Sequence, residues 1–199
     1  MKRNLRQAGI FVAILGTAAI ATAAVIPAIS IHPESRIWVE GTSTVRDYSC
    51  EAAEVLGSVD AAATTLSVAE LDGAVRGAEL SIATSGLECG NGTMNSHMRK
   101  ALKANQHTAI QFRLATYQAT LSGSGETTVK MKGTLEIAGQ ERPMEIDAIA
   151  TPADNGGLRV KGTKEFLMSE FGVKPPSLML GTMKVRDQVK VNFDVVLRP

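Results

Sequence analysis

The sequence predicts an all-β fold, an antiparallel β-barrel of about eight strands with one short helix at one end. Three observations predict it. Runs of alternating apolar and polar residues recur from Ser35 onward, each about the length of a barrel strand and each with one face to bury. Turn residues separate these runs closely enough for sequential antiparallel hairpins. One segment carries helical spacing instead. Strands that each have one apolar face must close on themselves or pair to remove their edges.

The chain of 199 residues opens with Met1-Lys2-Arg3-Asn4-Leu5-Arg6, basic and free of acids, and an apolar run from Ala8 to Ile31 follows. Small residues crowd the second half of that run, and Ala21-Thr22-Ala23 supplies an A-x-A pattern. Residues 1–23 therefore read as a secretory signal peptide, with a cut as late as about residue 30 also compatible. The run is long enough to span a bilayer, so a retained anchor is the alternative. Removing residues 1–23 takes three of the 21 Lys and Arg and none of the 20 Asp and Glu, leaving a net charge of −2. That balance gives no electrostatic footprint for nucleic acid, and 4% aromatic residues leave few platforms for base stacking. About 175 residues remain, enough for one domain with a sizeable core, assigned to residues 35–199.

Arg36 to Val45 is rich in β-branched residues and reads as a strand; Leu56 to Ala61 is a weaker candidate. Ala74 to Leu87 sets Ala78, Leu80 and Ile82 on one face against Glu79 and Ser81. Ile110 to Leu114 alternates and runs on through Tyr117. Val129 to Ile137, Met144 to Ala148, Leu158 to Phe166 and Val189 to Leu197 continue the pattern. Gly123-Ser124-Gly125, Ala138-Gly139-Gln140-Glu141 and Asp154-Asn155-Gly156-Gly157 mark turns, since Asn and Gly tolerate positive φ. The stretch Ser169 to Gly181 holds Pro175-Pro176, which excludes helix and central strand, yet it is too apolar for a solvated loop. It reads as a compact corner that covers the barrel.

Met94 to Ala104 breaks the β pattern. Met94, Met98, Ala101 and Leu102 recur at helical spacing, with Thr93 as the expected N-cap and Asn105 as the expected stop. Such a helix plugs or lids one end. Cys50 and Cys89 are the two cysteines. In an oxidising compartment an even count favours a disulfide, and closing a loop of about 40 residues stabilises by roughly 4 kcal/mol. Two free buried thiols are the alternative.

Little here points to catalysis. His32, His97 and His107 lack the spacing of a metal pair, and two cysteines without such company make no zinc site, so no metal and no cofactor is expected. The serines include no G-x-S-x-G elbow. Glu136, Glu145 and Asp147 alternate with apolar residues and read as the solvated face of a sheet. Asn91-Gly92-Thr93 matches a glycosylation sequon, a match too cheap to carry weight. The protein is expected not to be an enzyme.

What remains is apolar surplus. The pattern turns Phe112 and Leu114 inward on one strand, Met131, Leu135 and Ile137 on the next, and Ile146 on the one after. Phe166, Met168, Leu180, Val191 and Phe193 follow, while Phe171, Val173, Leu178 and Met179 of the corner read as the rim or gate of a cavity or, alternatively, as a seal on the core. Met-rich linings adapt to flexible apolar partners. At about eight strands a barrel either fills its interior with these side chains or holds a small ligand among them, and both readings stand.

Several stretches also carry a family resemblance. They are Trp38-Val39-Glu40-Gly41-Thr42-Ser43, His97 to Ala104 followed by Ile110-Gln111-Phe112, Gly133 to Gly139, Phe171-Gly172-Val173-Lys174-Pro175-Pro176, and Gly181 to Asp187. In this order and spacing, from about Ser35 to Leu197, the chain resembles the YceI-like family of bacterial proteins. The resemblance implies a lipocalin-like antiparallel barrel with a helical element at one end. It also implies an exported protein, periplasmic or secreted, that binds a long apolar chain such as a polyisoprenoid lipid inside the barrel as carrier, store or sensor. It brings no catalytic residues, and the Cys50–Cys89 pair is not general to the family. Membrane attachment would come only through a retained leader. The competing readings are an interaction barrel with a packed core and, further off, a hydrolase or isomerase built on the same barrel.

Overall fold

The computed structural model describes residues 29–63, 65–123, 125–178 and 183–199. Twelve strands and one α-helix follow one another along the described chain. The first six strands are β1 (Ile29–Ile31), β2 (Arg36–Ser43), β3 (Tyr48–Ala52), β4 (Leu56–Ala61), β5 (Val75–Ala83) and β6 (Leu87–Glu88). Helix α1 (Gly92–Ala101) comes next, then β7 (Ala109–Leu121), β8 (Thr127–Ile137), β9 (Gln140–Ala153) and β10 (Gly157–Leu167). Short β11 (Ser177–Leu178) and long β12 (Met183–Arg198) complete the order.

The wall has eight positions, because three of them are built from two strands laid end to end. β12 pairs with β1 at Ser30↔Arg198 and Ile31↔Leu197, and with β2 from Arg36↔Asp194 to Val185↔Ser43. β4 and β3 continue the wall beside β1 and β2, and β5 and β6 lie beside those. β7, β8, β9 and β10 follow in antiparallel order, and β10 returns to β12, which closes the circle. The result is an up-and-down barrel whose closure depends on the three residues of β1.

Local chemistry fixes the register. The β8–β9 hairpin turns on Ala138 and Gly139, both at positive φ (50° and 75°), as a tight two-residue turn requires. Asn155 and Gly156, also at positive φ, lie in the three-residue turn Asp154–Gly156 between β9 and β10. A register shift in β7 between Leu114 and Thr116 resets the alternation, so Phe112, Leu114 and Tyr117 all face inward.

Both ends of the barrel are covered. At the lower end Leu66 and Leu71 are buried, the Tyr117 hydroxyl donates to the Leu71 carbonyl (2.5 Å), the Thr127 hydroxyl to the Val68 carbonyl (2.7 Å), and the Ala119 amide to Asp72 (3.0 Å). At the upper end α1 lies beside the corner that begins at Met168. Phe171 (1% exposed) and Val173 are buried there with Leu102, Ile137, Ala138 and Met144. A second cluster, including Ile29, Val59, Leu66, Val129 and Leu158, forms the lower core.

Four expectations change in detail. The helix is capped by Asn91, whose side chain accepts from the Met94 amide (2.9 Å), not by Thr93. It ends at Ala101, before Ala104 and Asn105, because Lys103 turns to positive φ. Ile29–Ile31, read as the tail of the apolar leader run, is a strand. Pro175 and Pro176 stay outside strands, as expected, but Ser177–Leu178 pairs with Lys184 and Met183.

Cys50 and Cys89 form a disulfide that ties β3 to the residue after β6. Among the described residues no helix is long and apolar enough to cross a membrane. Outside, Asp194 takes two hydrogen bonds from Arg159 (2.6 and 2.9 Å) and lies 3.2 Å from Lys161. Burial pushes its carboxyl up, but the bonds from Arg159 and Lys161 outweigh that and hold it below its ordinary value.

Two outcomes follow for stability. Replacing both cysteines with alanine should lower unfolding free energy by about 2–4 kcal/mol in denaturant titration. A depressed carboxyl contributes stability above its unfolded-state value of 3.8, lost as pH falls through the lower folded-state value. Asp194→Asn should therefore flatten the acid limb of the stability–pH curve below about pH 4, while the parent chain loses stability there.

Candidate functional site

The barrel encloses a cavity of about 490 Å³ between the two core clusters. Its wall runs from Leu71, Val59 and Leu197 at the lower end to Met94, Met98 and Val173 under the upper cover. That volume falls within the usual range of small-molecule sites. Aliphatic and aromatic side chains make up almost all of the wall.

The cavity exists because large inward side chains are few and several inward positions carry none. A Cβ at Gly162 would lie 2.5 Å from the Phe193 ring, and one at Gly133 would press on the Arg113 carbonyl and lie 2.6 Å from the Phe112 ring. The two rings thus lie flat against the wall over glycines instead of crossing the interior. A Cβ at Gly41 would meet the Tyr48 ring and hydroxyl in the same way. The inward residues at mid-height (Phe112, Leu114, Met131, Leu135, Ile146, Phe166, Val191 and Phe193) are only half-buried although they face inward. Their open surface is the cavity.

Of the expected lining residues, Phe112, Leu114, Met131, Leu135, Ile137, Ile146, Phe166, Met168, Phe171, Val191 and Phe193 are brought together on this one wall. Ile137 and Phe171 are buried in the upper core as well as touching the cavity. Met179 and Leu180 lie outside the described residues. Reading residue types alone missed Val39, Cys50, Ala78, Leu80 and Val160 on the same wall, along with Met94 and Met98 of the cover. It also missed the polar groups of the wall, among them Lys164 and Tyr48 and, toward the upper end, Ser43, Arg46, Asn91, Thr93 and His97. Lys164 shares the inward parity of Leu158, Val160, Gly162 and Phe166, a signal present in the alternation. Tyr48 belongs to a strand too short to alternate visibly; burial pushes its phenol above the ordinary value of 10.0.

The upper cover is latched. Asn95, buried on α1, accepts from the Cys89 amide (2.7 Å) and donates to Glu88, and Arg99 of the helix bonds the same Glu88 (3.2 Å). The adjacent Cys50–Cys89 bond carries these contacts into the wall. Arg46, in the loop between β2 and β3, reaches the Met94 sulfur (3.8 Å). No group of three potential metal ligands occurs among the described residues.

An eight-position antiparallel barrel with covered ends and an apolar internal cavity defines the class of small barrel that encloses a space rather than a solid core. The model of the YceI-like domain matches residues 34–197, so the chain belongs to the YceI-like family. No curated protein matches it by sequence. Among solved structures it is similar to the polyisoprenoid-binding domain from Saccharophagus degradans implicated in plant cell wall breakdown. That likeness has a TM-score of 0.66 and 12% identity, covering 86% of this chain and 98% of that one. It is similar to BcnA of Burkholderia cenocepacia, with a TM-score of 0.64 and 17% identity over 82% of this chain and 96% of that one. The Campylobacter jejuni YceI protein gives a TM-score of 0.56 and 18% identity over 74% and 82%. At these identities the likeness is one of fold.

Core and cavity positions should respond differently to truncation. Phe171→Ala, in the packed upper core, should cost about 3–5 kcal/mol of unfolding free energy. Phe193→Ala, whose ring already faces open space, should cost less than half as much. Denaturant titration of the two variants checks this; equal losses would mean that the cavity is filled in solution.

Proposed function

We propose that the protein is exported and holds a long apolar ligand, of the polyisoprenoid class, in the barrel interior as carrier, store or sensor. The cavity carries this reading: an apolar space of about 490 Å³ is retained where larger inward side chains would have filled it. Sealing such a space around hydrocarbon gains roughly 0.8 kcal/mol per buried methylene, so ten carbons give about 8 kcal/mol before ordering costs. Length and apolarity then set affinity more than any polar contact. Membership of the YceI-like family and the fold shared with a domain described as polyisoprenoid-binding support the same ligand class.

A binding role, not a catalytic one, fits a wall with few polar groups. Export fits the disulfide, which persists in oxidising compartments. It also fits the leader composition of residues 1–23. A cut after Ala23 leaves β1 whole, whereas one near Ser30 would divide the strand that closes the barrel.

Native mass spectrometry of the gently purified exported protein checks both points. The expected result is a polypeptide that begins upstream of Ile29 and carries a non-covalent apolar lipid released by organic extraction. A lipid-free protein that also takes up no added isoprenoid would overturn the binding reading.

A further inference from the structure

The barrel wall is not continuous. β9 pairs with β8 from Ile137↔Gln140 to Thr127↔Ala150, and β10 pairs with β12 from Leu158↔Leu197 to Leu167↔Gln188. Between β9 and β10 the ladder runs only from Gly157↔Ala153 to Gly162↔Ala148. Above that level the strands part, although β10 continues for five residues, from Thr163 to Leu167, and β9 extends back to Gln140. They are strapped again at the top, where the Arg142 guanidinium donates to the Glu170 carbonyl (2.8 Å). A window is left in the wall, with Met144 on one side and Phe166 on the other. Lys164 and Phe166 line both the internal cavity and the groove outside it.

The short β5–β7 ladder does not leave such a window. β5 and β7 pair only from Glu79↔Arg113 to Ala83↔Ala109. Below that level the Val75 amide donates to the Tyr117 hydroxyl (2.9 Å) and Asp72 takes the Ala119 amide, so protein fills the gap. The upper end is held by the latched helix and the lower end by its plug. The cavity reaches solvent at the upper end, where exposed Arg46, Asn91 and Thr93 line it between the β2–β3 loop and α1. The β9–β10 window is a second place, in the side of the wall, where an interior ligand meets solvent without displacing either cover.

Lys164 stands in that window. Strand parity sets it on the cavity face between Gly162 and Phe166, yet it also lines the groove outside the wall. Its stem therefore lies along the apolar edge while the ammonium reaches the outer groove, the usual compromise for a lysine on an apolar surface. Among the described residues it makes no hydrogen bond or ion pair. The carboxylates of Glu145 and Glu165 already have partners, Lys132 (2.8 Å) and Gln188 (2.8 Å). Glu170 also lines the groove, with Arg142 opposite it.

Resting on the binding reading above, we infer that the window holds the polar end of the ligand. The hydrocarbon lies in the cavity, and a head group bearing acceptor oxygens, anionic ones above all, rests on the Lys164 ammonium. Charge-assisted hydrogen bonds to such oxygens are the strong ones, and a compact ammonium at an apolar rim has few competing partners. The interior then sets chain length, and Lys164 selects the head.

Farnesyl phosphate and farnesol, which share a chain and differ in head group, separate these roles. The mature protein should bind the phosphate about tenfold more tightly than the alcohol. Lys164→Met should keep the farnesol affinity and lose the preference, with Lys164→Arg retaining part of it; Lys164→Gln replaces the methionine variant if that one does not fold. Equal affinities in the parent protein, or a preference unchanged in Lys164→Met, would overturn the assignment of the window and leave the cavity reading intact. Failure of both probes to bind would overturn the cavity reading and this assignment with it.

Discussion

One constraint underlies the structure: a circumference of eight strands encloses more space than the inward side chains of this chain fill. Closing a sheet abolishes its edges, and at this size the interior is just wide enough for side chains to pack it. Here many inward positions are valine, alanine or glycine, and the rings of Phe112 and Phe193 lie over Gly133 and Gly162 instead of crossing the barrel. The two ends pack densely and the middle stays open. Since native interiors otherwise approach crystal density, an apolar space of about 490 Å³ calls for an occupant.

An open middle moves stability to the rim and the ends. Closure rests on β1, three residues bridging β4 and β12, and on the long β12 ladder that also holds β2 and β10. The lower plug is fixed by hydrogen bonds that satisfy its own backbone groups, and the upper cover is fixed by the Asn95–Glu88–Arg99 contacts beside the Cys50–Cys89 bond. The disulfide thus stiffens the join between wall and lid, where a barrel without a central core has least packing to rely on.

Much of this was legible in the sequence. Long strands with one buried face, such as Val129–Ile137 and Leu158–Phe166, announce themselves by alternation, and Asn155-Gly156 announces the turn between β9 and β10. The wall residues Phe112, Leu114, Met131, Leu135, Val191 and Phe193 follow from the same parity. Other elements leave no such trace. β1 hides in an apolar run whose composition also suits a leader, and β3 and β6 are too short to alternate. The helix cap moved from Thr93 to Asn91 because both residue types cap well and only the backbone decides between them. Whether the interior is open depends on where rings fold against glycines, and the β9–β10 window is a missing ladder; neither is written in a periodicity.

The central claim is that hydrocarbon occupies the interior, and its most direct test is magnetic. With methyl-labelled protein, nuclear Overhauser contacts from a bound isoprenoid chain should reach Leu114, Leu135 and Ile146 inside the barrel. They should miss Leu121 and Ile149, which are exposed on its outside. Contacts confined to Leu121, Ile149 and other outer methyls would contradict the account.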